Sequence, residues 1–325
     1  MRTIGLSSRN ARRGGRELTR ALVLSFTKTR GTIMGLGKGL SAALAAMYLL
    51  AHPAAAQTPP PAKLPFELKE IGPGVYAAIS PESNAGFIVG DDAVLVVDSF
   101  YRPNTARALL SEIRKITPKP VRYLVNTHYH ADHVSGDQIF KDVGAIIVAH
   151  RNVRAWIRPE NQHMFDLVTE SPVTIWLGAR HIDIRPAEGH SGGDLVVSVP
   201  DAKVLFCGDL LWRMPPNIVD GTTSKWIATD RSFEQLPDAA TMVFVPGHGD
   251  VATVKDVAIF RAYLTDLQSL TAAGLAMGLK STALAADVIP KLRASHPDYP
   301  PLTFASVLLM EKELDGTKRV RQPVP

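Results

Sequence analysis

Three imidazoles and one carboxylate lie within a single short segment, Asn126-Thr127-His128-Tyr129-His130-Ala131-Asp132-His133. The segment follows an apolar run, Tyr123–Val125, that predicts a strand, and it precedes Val134–Lys141, which predicts a helix. Imidazole nitrogens and carboxylate oxygens are the ligands that zinc and similar cations accept. The spacing therefore predicts a metal site at the C-terminal end of a strand.

Three further residues fit the same interpretation because each lies beside a glycine. They are His190 in Glu188-Gly-His-Ser-Gly-Gly193, Asp209 in Phe206-Cys-Gly-Asp209, and His248 in Pro246-Gly-His-Gly-Asp250. Neighbouring glycines allow a tight turn that aims the side chain inward. Each residue alone is weak support for a ligand, but together with residues 128–133 they reinforce one another.

The rest of the pattern predicts an α/β protein with strands and helices in both halves. Predicted hairpins join Phe87–Val89 to Ala93–Val97 and Leu195–Val199 to Val204–Phe206, and Ala145–Val148 and Met242–Val245 are further strands. Predicted helices cover residues 104–116, 254–277, 281–292 and 302–314.

The four motifs, in this order, resemble those of the metallo-β-lactamase superfamily, from about Ile71 to about Gly278. The resemblance implies a four-layer αβ/βα sandwich, with two mixed sheets and outer helices, and a two-metal site at one edge. It assigns His128, His130 and His190 to one metal. It assigns Asp132, His133 and His248 to the other, with Asp209 bridging both.

The resemblance implies two Zn²⁺ per chain, with iron or manganese as alternatives, and a metal-bridging hydroxide that attacks a carbonyl carbon. Asp132 and Asp209 are the predicted catalytic residues. The best-known β-lactamase subclass has Cys in the place of Asp209 and, three residues later, Lys, where this chain has Trp212. A bridging Asp is typical of members that cleave esters, lactones, thioesters and phosphoesters. We therefore expect hydrolysis of a small carbonyl substrate, with β-lactams as a side activity and Trp212 and Arg213 binding the substrate.

Two other functions remain open: an iron-dependent oxidoreductase of the same superfamily, and a non-catalytic periplasmic protein that binds a metal or a partner. A nucleic-acid substrate is not expected. The chain has a formal charge of +5, but residues 1–56 carry +8, so the remainder is mildly acidic at −3. The partner is therefore expected to be a small molecule, and the sequence leaves the oligomeric state open.

The N-terminal residues have the order of a secretory signal: a basic stretch, a short apolar run from Leu40 to Ala51, and Ala54-Ala55-Ala56 before Gln57. We expect residues 1–56 to be a signal peptide, with Met34 as an alternative start. After cleavage no membrane span would remain, and the product would be periplasmic or secreted. A Pro-rich linker (57–66), the hydrolase domain (67–278) and a C-terminal helical extension (279–325) follow. The single cysteine, Cys207, is interpreted as a buried strand residue, and no intrachain disulfide is expected.

Overall fold

The structure is a computed structural model that describes residues 63–157, 159–212, 216–300 and 302–320, with residues 159–161 described by their backbone alone. The predicted signal peptide and Arg213 lie outside the described residues. Among those residues, no helix combines the length and the apolar character that crossing a bilayer requires.

The first sheet has seven strands that lie side by side in chain order. They are β1 (Glu67–Gly72), β2 (Val75–Ile79), β3 (Ala85–Val89), β4 (Val94–Val97), β5 (Val121–Val125), β6 (Ile146–His150) and β7 (Leu167–Thr169). Neighbours from β1 to β4 are antiparallel, which confirms the predicted hairpin around residues 90–92. Those from β4 to β7 are parallel, because helical segments carry the chain back between them.

The second sheet has five strands in the spatial order β12-β11-β10-β9-β8. They are β8 (Val173–Leu177), β9 (Arg180–Ala187), β10 (Asp194–Val199), β11 (Val204–Trp212) and β12 (Val243–His248). The pair β10–β11 is antiparallel, as the second predicted hairpin requires, and β11–β12 is parallel. Both sheets are therefore mixed.

The helices are α1 (Pro103–Ile116), α2 (Ala131–Val134), α3 (Asp137–Lys141), α4 (Arg151–Trp156), α5 (Thr223–Glu234), α6 (Val254–Ala276), α7 (Ser281–Ser295) and α8 (Phe304–Leu314). A single helix over residues 134–141 was expected, but the chain breaks it at Ser135–Gly136. Gly136 N donates to Ser99 Oγ, and a Cβ on Gly136 would overlap the carbonyl oxygen of Ser99. This close approach to the Ser99 backbone separates α2 from α3.

Side chains on β4 alternate between two hydrophobic layers. Val94 and Val96 pack toward α1, whereas Leu95 and Val97 pack into the layer between the two sheets. A third layer lies between β11 and helices α5 to α8. The order is therefore helices, sheet, sheet, helices, which confirms the predicted αβ/βα sandwich. Helices α7 and α8, from the predicted C-terminal extension, share this third layer with α6.

Candidate metal centre

The segment 126–133 leaves the end of β5 and turns into α2, whose first residue follows His130. Thr127 N donates to Asp98 Oδ1 at 2.7 Å, which ties the segment to the end of β4. His128 and His133 become buried, at 1% and 0% exposure. The two imidazoles that the sequence places five residues apart therefore lie inside the protein, at one edge of the first sheet.

The other three predicted ligands come from the second sheet. His190 lies in the turn between β9 and β10, Asp209 lies within β11, and His248 ends β12. Gly208, just before Asp209, has φ of +53°, and a Cβ there would lie 2.6 Å from Thr127 Cβ. Only glycine fits this irregularity in β11, which carries Asp209 toward the first sheet.

The structure brings all seven predicted ligands together in two groups, in each of which the candidate donor atoms lie within 4.8 Å of one another. One group is His128, His130, His190 and Asp209. The other is Asp132, His133 and His248. These are the two sets that the resemblance assigns to two metals.

Asp209 lies between the groups, and its two oxygens face different sides. Oδ2 is 3.3 Å from His190 Nε2, and Oδ1 is 3.2 Å from His133 Nε2. His128 Nε2 lies 3.7 Å from Oδ2, and His248 Nε2 lies 3.5 Å from Oδ1. The carboxylate therefore has the position that a bridge between two cations requires.

Burial and charge set the protonation of the first group. Burial lowers the pKa of His128 well below its ordinary value and lowers that of His190 to about 4, so both rings are neutral and each keeps a lone pair. Burial alone would raise the pKa of Asp209, but His133, His128 and His190 outweigh it and hold the pKa well below the ordinary value. The group therefore presents neutral imidazoles and an ionised carboxylate, the forms that bind metals.

The second group is more strongly charged. Burial opposes protonation of His248, but the nearby carboxylates of Asp132 and Asp209 raise its pKa to about 9. The same carboxylates and Asp98 raise the pKa of His133 well above its ordinary value, against burial. Negative charge thus favours a positive species at these nitrogens, and a metal cation and a proton would compete for them.

The donor set fits metal ions because its atoms converge without satisfying one another. His133 Nε2, His248 Nε2 and Asp209 Oδ1 are buried, and none has a hydrogen-bond partner of acceptable geometry among the described residues. Buried polar atoms in this condition are rare and call for an explanation. A cation shared by the three atoms supplies one.

Asp98, which directly follows β4, is hydrogen-bonded to a ligand of the second group and, through Thr127, to a ligand of the first. Its Oδ2 accepts hydrogen bonds from His133 Nδ1 at 2.9 Å and from Thr127 Oγ1 at 2.7 Å. Thr127 Oγ1 lies 3.1 Å from His128 Nδ1. It can accept a hydrogen bond from this nitrogen, because the threonine hydroxyl donates its own proton to Asp98. Asp98 therefore has an orienting role, because these hydrogen bonds direct Nε2 of the His133 and His128 rings toward Asp209.

Asp220 is a site residue that no sequence pattern predicts. Its Oδ2 lies 3.0 Å from His130 Nε2 and also accepts a hydrogen bond from the Tyr129 hydroxyl. His130 Nδ1 faces the other imidazoles, 3.1 Å from His128 Nε2 and 2.9 Å from His190 Nε2. Asp220 therefore keeps a proton on Nε2 and leaves Nδ1 free for a metal. No motif marks it, since it lies ninety residues after His130 in an irregular segment.

Aromatic side chains surround the centre. Trp212 lies against His248, with ring centroids 4.5 Å apart and planes inclined by 19°, and its indole is also 5.5 Å from the ring of His190. Tyr129 packs on Trp156, with centroids 5.1 Å apart. The predicted substrate residue Trp212 is thus beside the ligands, but only 8% exposed. Cys207 is buried on β11, as predicted.

The sequence model of the metallo-β-lactamase superfamily matches residues 81–248, just over half of the chain and a range that contains every predicted ligand. The chain therefore belongs to the metallo-β-lactamase superfamily.

Two proteins illustrate the range of similar sequences. The chain is 29% identical over 174 residues to the alpha subunit of 2,4-dinitroanisole O-demethylase of Nocardioides sp. strain JS1661, covering 50% of this chain and 51% of that subunit. It is 25% identical over 185 residues to the type 2 metallo-β-lactamase of Bacillus cereus, covering 55% of this chain and 71% of that enzyme. The chain thus spans about half the length of the demethylase subunit.

Solved structures of similar fold include metallo-β-lactamases. One from Pontibacter korlensis has a TM-score of 0.56 at 21% identity, over 62% of this chain and 99% of the other. The DIM-1 metallo-β-lactamase has a TM-score of 0.55 at 16% identity, over 62% of this chain and 97% of the other. At these identities the likeness concerns the fold.

Proposed function

We propose that the protein is a hydrolase that holds two zinc ions and cleaves a small carbonyl substrate: an ester, a lactone, a thioester or a β-lactam. The observation that carries this proposal is the position of Asp209, whose two oxygens face two separate groups of ligands. A site for a single ion would not need a carboxylate directed both ways.

His128, His130 and His190 would hold one ion, and Asp132, His133 and His248 the other, with Asp209 shared. Two cations held in this way lower the pKa of a water molecule between them and polarise a carbonyl oxygen. Asp98 and Asp220 supply the orientation, because their hydrogen bonds fix which nitrogen of His133 and His130 stays unprotonated.

The two carboxylates proposed as catalytic differ in their access to a substrate. The Asp209 side chain is 2% exposed, whereas that of Asp132 is 30% exposed. The nearby imidazoles of His133 and His248 outweigh burial and lower the pKa of Asp132, so it is ionised at neutral pH. Asp132 would therefore bind its cation and accept a hydrogen bond from a reacting group at the open side of the centre, while the buried Asp209 would bind both ions.

The aromatic walls and the bridging Asp favour an ester, lactone or thioester that bears an apolar group. Tyr129 and Trp156 offer partly buried ring surface beside His130. The presence of Asp209, where the best-known β-lactamases have Cys, makes β-lactam cleavage the secondary activity. A similar protein is named for demethylation of 2,4-dinitroanisole, so an aryl methyl ether belongs among the compounds to test.

We further propose that the enzyme acts outside the cytoplasm, after removal of residues 1–56. This rests on the order of basic, apolar and small residues in that segment.

The test is metal analysis of protein purified without added metal, followed by a hydrolysis screen. We expect about two zinc ions per chain in the wild type. His181→Ala is a matched control, because His181 is a surface histidine, with its side chain 39% exposed, and belongs to neither ligand group. It should retain both ions.

The screen covers a lactone, a thioester, an aryl ester, a cephalosporin and an aryl methyl ether. One iron per chain would contradict the proposal and favour the oxidoreductase. Bound zinc without turnover of any of these substrates would favour a binding protein.

A further inference from the structure

The segment that carries Asp220 is packed tightly against a second part of the centre. Thr222 N donates to the carbonyl oxygen of Gly189 at 3.0 Å. A Cβ added to Gly221 would overlap that same carbonyl oxygen. The backbone of residues 221–222 thus rests on the turn that carries His190, while Asp220 reaches His130. A shift of this segment would disturb two of the three imidazoles in the first group.

The C-terminal end of the chain holds this segment in place. Lys318 Nζ donates to the carbonyl oxygen of Gly221 at 2.7 Å, directly after Asp220. Lys318 also pairs with Glu313 Oε2 at 2.9 Å, and the two side chains are only 5% and 9% exposed. A buried lysine paired in this way has a fixed position, unlike the mobile lysines of the surface.

Glu313 makes a second attachment, at the start of α5. Its Oε1 accepts a hydrogen bond from Thr223 N at 2.7 Å, and its Oε2 accepts one from Thr223 Oγ1 at 3.2 Å. The side chain of Thr222, the N-cap residue of α5, accepts no capping hydrogen bond from the helix backbone. Glu313 on α8 therefore caps α5 from another part of the chain, and its negative charge lies at the positive end of the helix.

We propose that Glu313 and Lys318 are positioning residues of the metal centre, because they fix the Gly221–Thr223 backbone and so keep Asp220 hydrogen-bonded to His130. The inference rests on the proposed metal centre. It assigns a role to the C-terminal end of the chain, which lies beyond the residues that the superfamily model matches.

The test compares Lys318→Met with Lys312→Met. Methionine keeps an unbranched apolar stem but removes the ammonium group, and Lys312 is an exposed lysine of α8 near Lys318 in the chain. Affinities for Zn²⁺ at the two positions are measured by chelator competition, and the visible spectrum of the Co²⁺-substituted protein reports on ligand geometry. Thermal unfolding in the presence of chelator measures the purely structural effect.

Removing a residue that orients a metal ligand weakens metal binding by about 10- to 100-fold. We expect a loss of about 10-fold for Lys318→Met at one of the two positions, with an altered Co²⁺ spectrum, and no change for Lys312→Met. Asp220→Asn should produce the same loss. The double variant, which combines Lys318→Met with Asp220→Asn, should bind zinc no more weakly than Asp220→Asn alone, since Lys318 acts through Asp220. Lys318→Arg should recover most of the affinity.

Three results would overturn the proposal: unchanged Zn²⁺ affinity in a folded Lys318→Met protein, additive losses in the double variant, or an equal loss in Lys312→Met. If Lys318→Met fails to fold, Glu313→Gln takes its place: its zinc affinity, measured alone and combined with Asp220→Asn, tests the proposal in the same way. A wild-type protein that binds no zinc would instead refute the metal centre itself, and this inference with it.

Discussion

The indole of Trp212 lies nearly flat on the imidazole of His248, with ring centroids 4.5 Å apart and planes inclined by 19°. The two residues are paired in register on the parallel strands β11 and β12. Tyr299, beyond α7, donates to the carbonyl oxygen of Trp212 at 3.1 Å and fixes its backbone. Trp212 therefore holds the imidazole of the candidate ligand His248 in place, in addition to any contact it makes with a substrate.

The first prediction concerns this support. Trp212→Ala should destabilise the fold by about 3–5 kcal/mol, the usual cost of truncating a buried tryptophan, and should loosen metal binding by His248. Trp212→Phe should retain most of both properties, because a ring still covers His248. Trp176→Ala, at an exposed tryptophan, should change stability by less than about 0.5 kcal/mol. Chemical denaturation and metal titration measure the effects; equal behaviour of Trp212→Ala and Trp176→Ala would be inconsistent with this role.

The second prediction separates the bridging ligand from a terminal one. Asp209→Ala should reduce bound metal at both proposed positions, because both would share this carboxylate. His248→Ala should reduce it at only one, so the Asp209 variant should bind less zinc and retain less activity. Metal content after dialysis, measured beside turnover, makes the comparison. Two tightly bound ions in Asp209→Ala would show that the carboxylate does not bridge.

The third prediction concerns Arg213, which lies outside the described residues and follows Trp212 directly in the chain. If it pairs with a substrate carboxylate, Arg213→Ala should raise KM for anionic substrates and leave neutral ones nearly unchanged. A charge-assisted hydrogen bond is worth about 1.5–3 kcal/mol, or roughly 10- to 100-fold in kcat/KM. Kinetics on an acid-bearing ester and its neutral methyl ester decide the question. Equal effects on both would exclude the anchoring role.

The fourth prediction concerns Asp230, a buried residue of α5 whose two oxygens have no hydrogen-bond partner among the described residues. Burial raises its pKa well above the ordinary value, with help from Glu234. The folded protein therefore keeps this proton at pH values where the unfolded chain, with a pKa near 3.9, has lost it. Stability must then fall as the pH rises above about 4 toward the raised pKa.

Asp230→Asn removes this titration. The variant should be more stable than the wild type at pH 8, by roughly 1–3 kcal/mol, with the advantage shrinking toward pH 4. Urea denaturation at both pH values, with chelator present, measures it. Asp238→Asn, at a surface carboxylate paired with Lys203, is the control and should change little. A wild type and Asp230→Asn protein with parallel pH profiles would argue against a neutral Asp230.

The fifth prediction concerns the N-terminus. Because Ala54-Ala55-Ala56 follows a short apolar run, the exported protein should begin near Gln57. N-terminal sequencing of the periplasmic or secreted protein tests this. Recovery of a chain that still contains the residues before Leu40 would contradict it.

All seven candidate ligands could be selected from the sequence, because four lie in one dense motif and the other three lie beside a glycine. These local signals do not depend on the rest of the fold. The hairpins β3–β4 and β10–β11 were also predictable, since each joins two apolar runs across a short polar turn. Strand β11 was predicted to end at Phe206 because Gly208 predicts a turn; the chain instead accommodates Gly208 as a left-handed irregularity and continues to Trp212.

The missed features depend on contacts between residues distant in the chain. Asp220 acquires its role only when β11 and α5 place it beside His130. The break at Gly136 depends on the carbonyl oxygen of Ser99, 37 residues earlier. Glu313 has no cap motif of its own, because the helix it caps belongs to a different part of the chain. Spacing along one segment cannot reveal such partners.

Neither sheet carries all the members of either candidate ligand group. The segment after β5 supplies His128, His130, Asp132 and His133, while His190, Asp209 and His248 all come from the second sheet. The centre can therefore form only after the two halves of the sandwich have docked. Bound cations would therefore stabilise a late step of folding, the docking of the two sheets. They would extend the lifetime of the folded state mainly by slowing the separation of the two sheets. Without metal, the chain would keep the same secondary structure, and proteolysis would begin at the edge where the two sheets meet.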